Sequence, residues 1–495
     1  MSWSCEKKSL TSVMLFLCAV FLMAVFNACS ESALDADVNE QDETSLVLQD
    51  ESSSSVKSSS SVKSSSSKAK SSSSSKAKSS SSSAKSSSSS VKSSSSSKLE
   101  YPDSFKPQDK EYPYAGIPRI VIETRNRIAI KDRETEVPAK MQIWGESFAE
   151  SEILDLTIRG RGNTSWNMPK KSYKIEFAKK QSILGMPKDK DWALIANYAD
   201  KTLMRNYLAY QFAAAIGSYY APKCEFADLY LNGEYLGVYL VTETIKIGSN
   251  RVNLPNDGYS YIVEFDAKYK IGEQVIFSKA LMSDSTSKKP FRVHYPKNAS
   301  DAILDTIQNH IYDFEIFLKN IKTDDDNKVN EWIDVEQSVK HYWIQEVFKN
   351  PDACFYTSVY FSWVKGGTIN MGPVWDFDLA MGNHSSNSAN SVDSWQIRNY
   401  WNNYLLRDKV YQDEIKKIWN GNLGLFESIR DTIDVLYAKL KNPAVNNFNR
   451  WNVLADDSSM AEWKTKKYGS YKESVNSIKD WISKRIQWID SQENL

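Results

Sequence analysis

The sequence predicts an α+β body, a mixed or antiparallel sheet followed by a mostly helical half, carried on a long disordered stalk. Three observations predict it. Asn232-Gly233 joins two alternating apolar runs, Glu225–Leu231 and Tyr235–Thr242, the strongest short-range sign of a hairpin. Apolar residues recur at helical spacing over Ala302–Lys319, over Trp332–Phe348 and again from Tyr411 to the end. From Glu51 to Lys98 stand 32 serines, nine lysines, three valines, three alanines and one glutamate. That stretch has too little apolar surface to offset the entropy of ordering it.

At the N-terminus, Lys7 and Lys8 precede an apolar run from Leu10 to Phe26, and Asn27-Ala28-Cys29 follows. A basic start, a short apolar run and a small residue before the cut read as a secretory leader. The cysteine after Ala28 makes residues 1–28 a bacterial lipoprotein signal, with Cys29 the lipidated first residue. The other reading is an uncleaved anchor helix, for which ~17 residues is short. Either way the protein is expected to be exported and tethered, at the cell surface or in the periplasm. Residues 29–100, acidic and then Ser/Lys-rich, form a linker reaching on the order of 50 Å. The body, 101–495, follows.

Charge and cysteines narrow the class. The chain balances 62 basic against 62 acidic residues, and from Leu99 onward 51 stand against 53. A near-neutral body excludes nucleic-acid binding through bulk charge. No second long apolar run follows, which excludes a multi-span membrane protein. After cleavage Cys224 and Cys354 remain as disulfide candidates beside Cys29, and both read as free thiols in a domain large enough to need no staple. His294, His310, His341 and His384 show no zinc-ligand spacing. Asp324-Asp325-Asp326-Asn327-Lys328 lacks the glycine and glutamate of a calcium loop and reads as a solvated turn.

Within the body, Leu154–Ile158 reads as a strand leading into Arg159-Gly160-Arg161-Gly162-Asn163-Thr164-Ser165-Trp166. A second strand, Ser172–Phe177, buries Tyr173, Ile175 and Phe177 and turns Lys174 to the other face. A glycine loop between two strands suits a lid over phosphates, although most such loops are plain turns. Asp200 is expected to cap a helix running to Ile216 and ended by Gly217, with Leu203, Tyr207 and Leu208 inward and Arg205 and Asn206 on a flank. Tyr259–Asp266 is a further strand.

Phe348–Asn383 is the stretch richest in chemistry. Pro351 stops a helix, and Asp352 precedes a strand over Thr357–Trp363. A turn at Lys365-Gly366-Gly367 returns the chain through Thr368–Val374 to Trp375-Asp376-Phe377-Asp378. A hairpin brings its two ends together, so Asp352 and Asp376 are expected to be neighbours. Paired carboxylates serve either phosphoryl transfer, one as base and one on Mg²⁺, or glycoside hydrolysis. The first needs cations for phosphate, and Arg161, Lys171 and Lys174 are available. A third reading is a surface module for adhesion or carbohydrate binding, with Trp166, Trp375, Trp395 and Trp401 stacking on sugar rings.

Several motifs resemble one family. Arg161-Gly162-Asn163-Thr164-Ser165-Trp166, Lys170-Lys171-Ser172-Tyr173-Lys174, Leu184-Gly185-Met186-Pro187 through Trp192, Ala196-Asn197-Tyr198 and Leu203-Met204-Arg205-Asn206 are similar to the CotH (spore coat protein H) kinase-like family. The hairpin Asp228–Tyr239 and Pro373-Val374-Trp375-Asp376-Phe377-Asp378 extend the likeness, which spans Leu154–Asn383. The resemblance implies an atypical protein-kinase-like fold that binds ATP and Mg²⁺ and phosphorylates serine or threonine on surface proteins. It implies Asp352 as the catalytic aspartate, Asp376 on the metal and Asp378 as a second metal contact. Lys171 or Lys174 would hold the nucleotide, with Arg161 and Asn163 beside them. The stalk's serines, tethered to such an enzyme, are themselves expected acceptors. Thr357 stands where kinases carry a metal-binding asparagine, with Ser358 and Asn383 the nearest substitutes. That departure leaves a catalytically inactive binding module of the same family as the alternative.

Overall fold

The computed structural model describes residues 100–282, 288–323, 328–456 and 466–492. The leader, Cys29, the stalk and the acidic turn at 324–327 lie outside the described residues.

Seven strands come first: β1 (Arg119–Thr124), β2 (Val137–Trp144), β3 (Leu154–Arg161), β4 (Ser172–Gln181), β5 (Asp189–Ile195), β6 (Cys224–Leu231) and β7 (Glu234–Glu243). They close into a barrel of order β1-β2-β3-β4-β5-β7-β6. Every pairing is antiparallel except the one that closes it, β1 with β6, where Arg119 meets Asp228. Closure leaves no free edge, and the alternation of each strand fills the interior with Met141, Ile158, Ile175, Trp192 and Val241. Tyr173, Ile175 and Phe177 point inward as the alternation predicts. The Asn232-Gly233 hairpin forms with both residues at positive φ, 54° and 82°.

The second sheet is wholly antiparallel. Its strands are β8 (Tyr261–Phe265), β9 (Val275–Ser278), β10 (Lys289–Tyr295), β11 (Val359–Trp363) and β12 (Ile369–Met371), in the order β12-β11-β8-β10-β9. Helix α1 (Arg205–Ala215) precedes it, and α2 (Asp301–Lys319) packs against β9. Then α3 (Val335–Val347), α4 (Lys409–Glu427), α5 (Ile429–Arg450) and α6 (Tyr471–Asp490) make the C-terminal part helical. The helical run expected over Trp332–Phe348 breaks at Ile333, because the Asp334 carboxylate caps α3 by accepting from Gln337 N at 3.0 Å. The core of this half, with Trp343, Trp401, Trp419 and Phe361 wholly buried, is continuous with the outer face of β6 and β7 through Phe226 and Leu240.

Two expectations change in detail. Helix α1 starts at Arg205, not Asp200, yet the Asp200 carboxylate still accepts from Arg205 N at 2.9 Å. Arg205 and Asn206 are not on an exposed flank; both are 3 % exposed. A buried ion pair with Asp200 takes the Arg205 charge. Cys224 and Cys354 are free thiols.

Candidate functional site

A cavity of about 800 Å³ opens between the barrel and the second sheet. Its barrel wall is the end of β3, the loop after it and the end of β5. Its other wall is the end of β8 together with the chain on either side of the β11–β12 hairpin. Arg161, Asn163, Asp352, Asp376 and Asp378 all line it.

The carboxylate loops are joined from below. Lys349, at positive φ, turns the chain out of α3. The Asn350 side chain then donates to Gln345 Oε1 at 3.0 Å and to the Asp376 carbonyl at 3.2 Å, tying one end of the hairpin to the other. The Asp352 carbonyl accepts from Tyr356 N and Thr357 N, which coils the loop and leaves its carboxylate on the cavity. On the returning side, the Asn206 side chain accepts from Phe377 N at 2.8 Å, and Arg205 Nε donates to Ala380 O at 2.9 Å. The buried polar face of α1 therefore grips the Asp376–Met381 turn. Asp376 itself sits at φ 63° and Ser358 at φ 58°, left-handed conformations that non-glycine residues adopt only under surrounding constraint.

The electrostatics follow from burial. Burial, and after it the Asp376 charge, push the Asp352 carboxyl up to about 7 against the opposing charge of Lys268. Asp376 is raised by burial and eased by Arg161. Asp378 lies well above the carboxylate range, through burial and then the charges of Asp376, Asp352 and Asp200. The Asp376 and Asp378 side chains are within hydrogen-bonding reach of each other. Arg161 lies over the Trp375 ring, 5.3 Å from its centroid. The loop that carries Arg161 needs its glycines: a Cβ on Gly160 would stand 2.3 Å from the Trp166 ring, and one on Gly162, at φ 97°, 2.1 Å from Ser165 Oγ. Arg133 holds this loop through Gly162 O at 2.6 Å and Asn163 Oδ1 at 3.3 Å.

Lys171 and Lys174 do not line the cavity. Lys171 Nζ donates to Trp166 O at 2.6 Å. Lys174 is on the outside of the barrel, 2.6 Å from Asp191 and 2.9 Å from Glu176; burial lowers its pKa, but those two carboxylates outweigh it. Lys170 does reach the cavity wall. Its Nζ is committed to Val238 O at 2.6 Å and Asn447 Oδ1 at 2.9 Å, and burial takes it down to about 7.

The substitutes for the absent asparagine have other partners. Thr357 Oγ1 donates to Asp266 Oδ1 at 2.9 Å. Asn383 Nδ2 donates to the carbonyls of Ala199 and Asp378, so it staples the loop. Ser358 Oγ remains at the site, 3.4 Å from Asp376 Oδ2. Among the described residues no group of three His, Cys, Asp or Glu side chains closes on one point to hold a metal. The four tryptophans have packing partners: Trp401 is wholly buried, Trp395 packs on Trp488, Trp166 on Tyr173 and Trp375 on Tyr210.

The structure adds cavity residues that the motifs passed over. Glu264, Asp266, Lys268 and Arg292 line it from β8, the turn after it and β10. Arg292 holds Glu273 at 2.6 Å and approaches Glu264 and Asp266 at 3.8 and 3.7 Å.

Two comparisons bear on identity. Inner spore coat protein H of Bacillus subtilis (strain 168) is 24 % identical over 359 residues, covering 71 % of this chain and 90 % of that protein. The family described as CotH kinase protein matches residues 158–489, from β3 through α6, and so takes in both walls of the cavity and the helical half beyond Asn383. On that match, the chain belongs to the CotH kinase protein family.

Proposed function

We propose that the protein is an atypical kinase of kinase-like fold, which moves the terminal phosphoryl group of ATP to serine or threonine hydroxyls of secreted or surface proteins. One observation carries the reading: a buried carboxylate with its pKa near 7, Asp352, shares a cavity with the Asp376–Asp378 pair and the Arg161 guanidinium. A general base works best when its pKa lies near the working pH.

The donor set fits magnesium. That ion takes one or two carboxylates and completes its shell with water and phosphate oxygens. Asp376 and Asp378 are two such carboxylates, both raised by burial and Asp378 also by the Asp376 charge, a cost that a cation relieves. When bound there, magnesium would supply neutralisation of charge on the phosphates. Arg161, oriented by Trp375, faces the same negative charge, and Asn163 and the glycine loop cover it. Asp352 accepts the proton of the acceptor hydroxyl. The hydroxyl oxygen bonds to phosphorus as the bond to the diphosphate oxygen breaks, and that oxygen keeps the electron pair.

The test is the full chain with Mg²⁺ and labelled ATP, with dephosphorylated casein as acceptor and the intact mass of the chain itself followed. Transfer to either, with a rise in melting temperature on adding nucleotide and Mg²⁺ together, is the expected outcome. A folded chain that shows neither transfer nor thermal shift overturns the proposal.

A further inference from the structure

Lys268 lies in the turn after β8, on the wall opposite Arg161, and no motif singled it out. Register explains where it comes to rest. Strand β8 pairs with β11 so that Phe265 meets Val359, and the residues just past β8 therefore run beside those just before β11. Three ties fix them there. Ala267 N donates to Tyr356 O at 2.9 Å, Thr357 Oγ1 donates to Asp266 Oδ1 at 2.9 Å, and the Lys268 ammonium lies over the Tyr356 ring at 5.1 Å. Tyr356 and Thr357 are the residues whose N–H groups close the Asp352 loop. Lys268 is thus held in register with Asp352.

Its charge has nothing local to spend itself on. Lys268 N donates to Asp266 Oδ1 at 2.8 Å, but the side chain forms no ion pair among the described residues. Both Asp352 and Asp376 feel it, and among the described residues it is the one cation that eases Asp352. Arg161 does the same for Asp376 from the barrel side. A cation on the acceptor side and another on the nucleotide side, with carboxylates between, mark out a position for an anion in transit.

We infer that Lys268 is a catalytic residue, its ammonium contacting the phosphoryl group as that group passes from the nucleotide to the acceptor hydroxyl. The inference rests on the phosphoryl-transfer reading above. The bond made is acceptor oxygen to phosphorus, the bond broken is phosphorus to the diphosphate oxygen, and the hydroxyl proton goes to Asp352. Lys268 gives up no proton; it holds the charge of the oxygens not involved in either bond. Because it lies beside Asp352, it reaches the terminal phosphate and not the diphosphate.

The experiment compares MgATP and MgADP affinity by calorimetry on the full chain, for wild type, Lys268→Met and Lys268→Arg. Lys268→Met is expected to weaken ATP about tenfold, the loss of one charged hydrogen bond, while ADP stays within about twofold. Lys268→Arg should restore the ATP preference. In transfer assays Lys268→Met should lower kcat by about 10²-fold with little change in KM. Wild type that binds neither nucleotide overturns the phosphoryl-transfer reading. Wild type that binds both, with a Lys268→Met substitution that weakens ATP and ADP by the same factor or leaves both affinities unchanged, overturns the role of Lys268 alone.

Discussion

The two walls of the cavity hold charge in opposite ways. On the barrel wall, Arg133 and Lys170 are clamped to carbonyl oxygens of Gly162 and Val238, and Arg161 lies on the Trp375 ring. On the facing wall, burial raises the pKa of Asp352, Asp376 and Asp378, and the Asp376 charge adds to the rise at Asp352 and Asp378, without a cation bonded to any of them among the described residues. On the same wall, Glu264, Asp266 and Glu273 share Arg292. Cations fixed by neutral groups therefore face carboxylates left without counter-ions. A protein that needed only stability would have paired them across the gap. The separation suits a ligand that carries both signs, a phosphate chain with a divalent cation.

The sharpest way to break this comparison is at the acidic wall. Asp376→Asn keeps the shape and removes the charge nearest Arg161. Transfer is expected to fall at least about 10³-fold, and the Mg²⁺-dependent part of the thermal shift on nucleotide binding should vanish. A variant that keeps that Mg²⁺ dependence would remove Asp376 from the metal.

A smaller effect has the opposite sign. Asp352 binds its proton more tightly folded, at about 7, than at its ordinary value of 3.8. Between those values the folded chain holds a proton the unfolded chain has shed, so stability falls as pH rises through that window. Above it the whole penalty stands. Asp352→Asn removes the charge and should stabilise the ligand-free chain by about 1–4 kcal/mol at pH 8. The gain should shrink as the pH is lowered to 5. Denaturant melts of both chains at the two pH values decide it: a variant that is less stable at pH 8, or a gain that does not shrink, would show that Asp352 is not strained. Activity would be lost in the same variant, the usual trade of a strained site.

How much of this was legible in the sequence depends on contact range. Asp352 and Asp376 were found because a hairpin is a local object, and a Gly-Gly turn fixes where its ends meet. The Asn232-Gly233 hairpin and the inward set Tyr173, Ile175 and Phe177 were legible for the same reason. Closure of the barrel was not, since β1 pairs with β6 across roughly a hundred intervening residues and nothing in β1 names its partner. Lys268 was invisible because the β8–β11 pairing that seats it is equally distant. Arg205 and Asn206 were misjudged as flank residues: their polarity suggested solvent, whereas they satisfy the backbone of the Asp376 turn. Polar residues buried for such a purpose look like surface until the partner loop is known.

The smallest expected effect separates the two uses of lysine on the barrel. Alternation along β4 put Lys174 on the face away from the interior, while the phosphoryl-transfer reading and the resemblance both offered it as a phosphate ligand. Its ammonium is shared between Asp191 and Glu176 on the outside of the barrel, so a phosphate would have to compete with two carboxylates already in contact. Lys174→Ala should therefore leave nucleotide affinity within about twofold and cost at most about 1 kcal/mol of stability, as a partly exposed pair does. Arg161→Ala should weaken the same affinity about tenfold, since its guanidinium has an aromatic face behind it and, among the described residues, no carboxylate bonded to it. Calorimetry with MgADP on the two variants compares them directly. If Lys174→Ala proved the more damaging, phosphate would have to approach the outer face of β4, and the cationic wall would lie on the wrong side of the barrel.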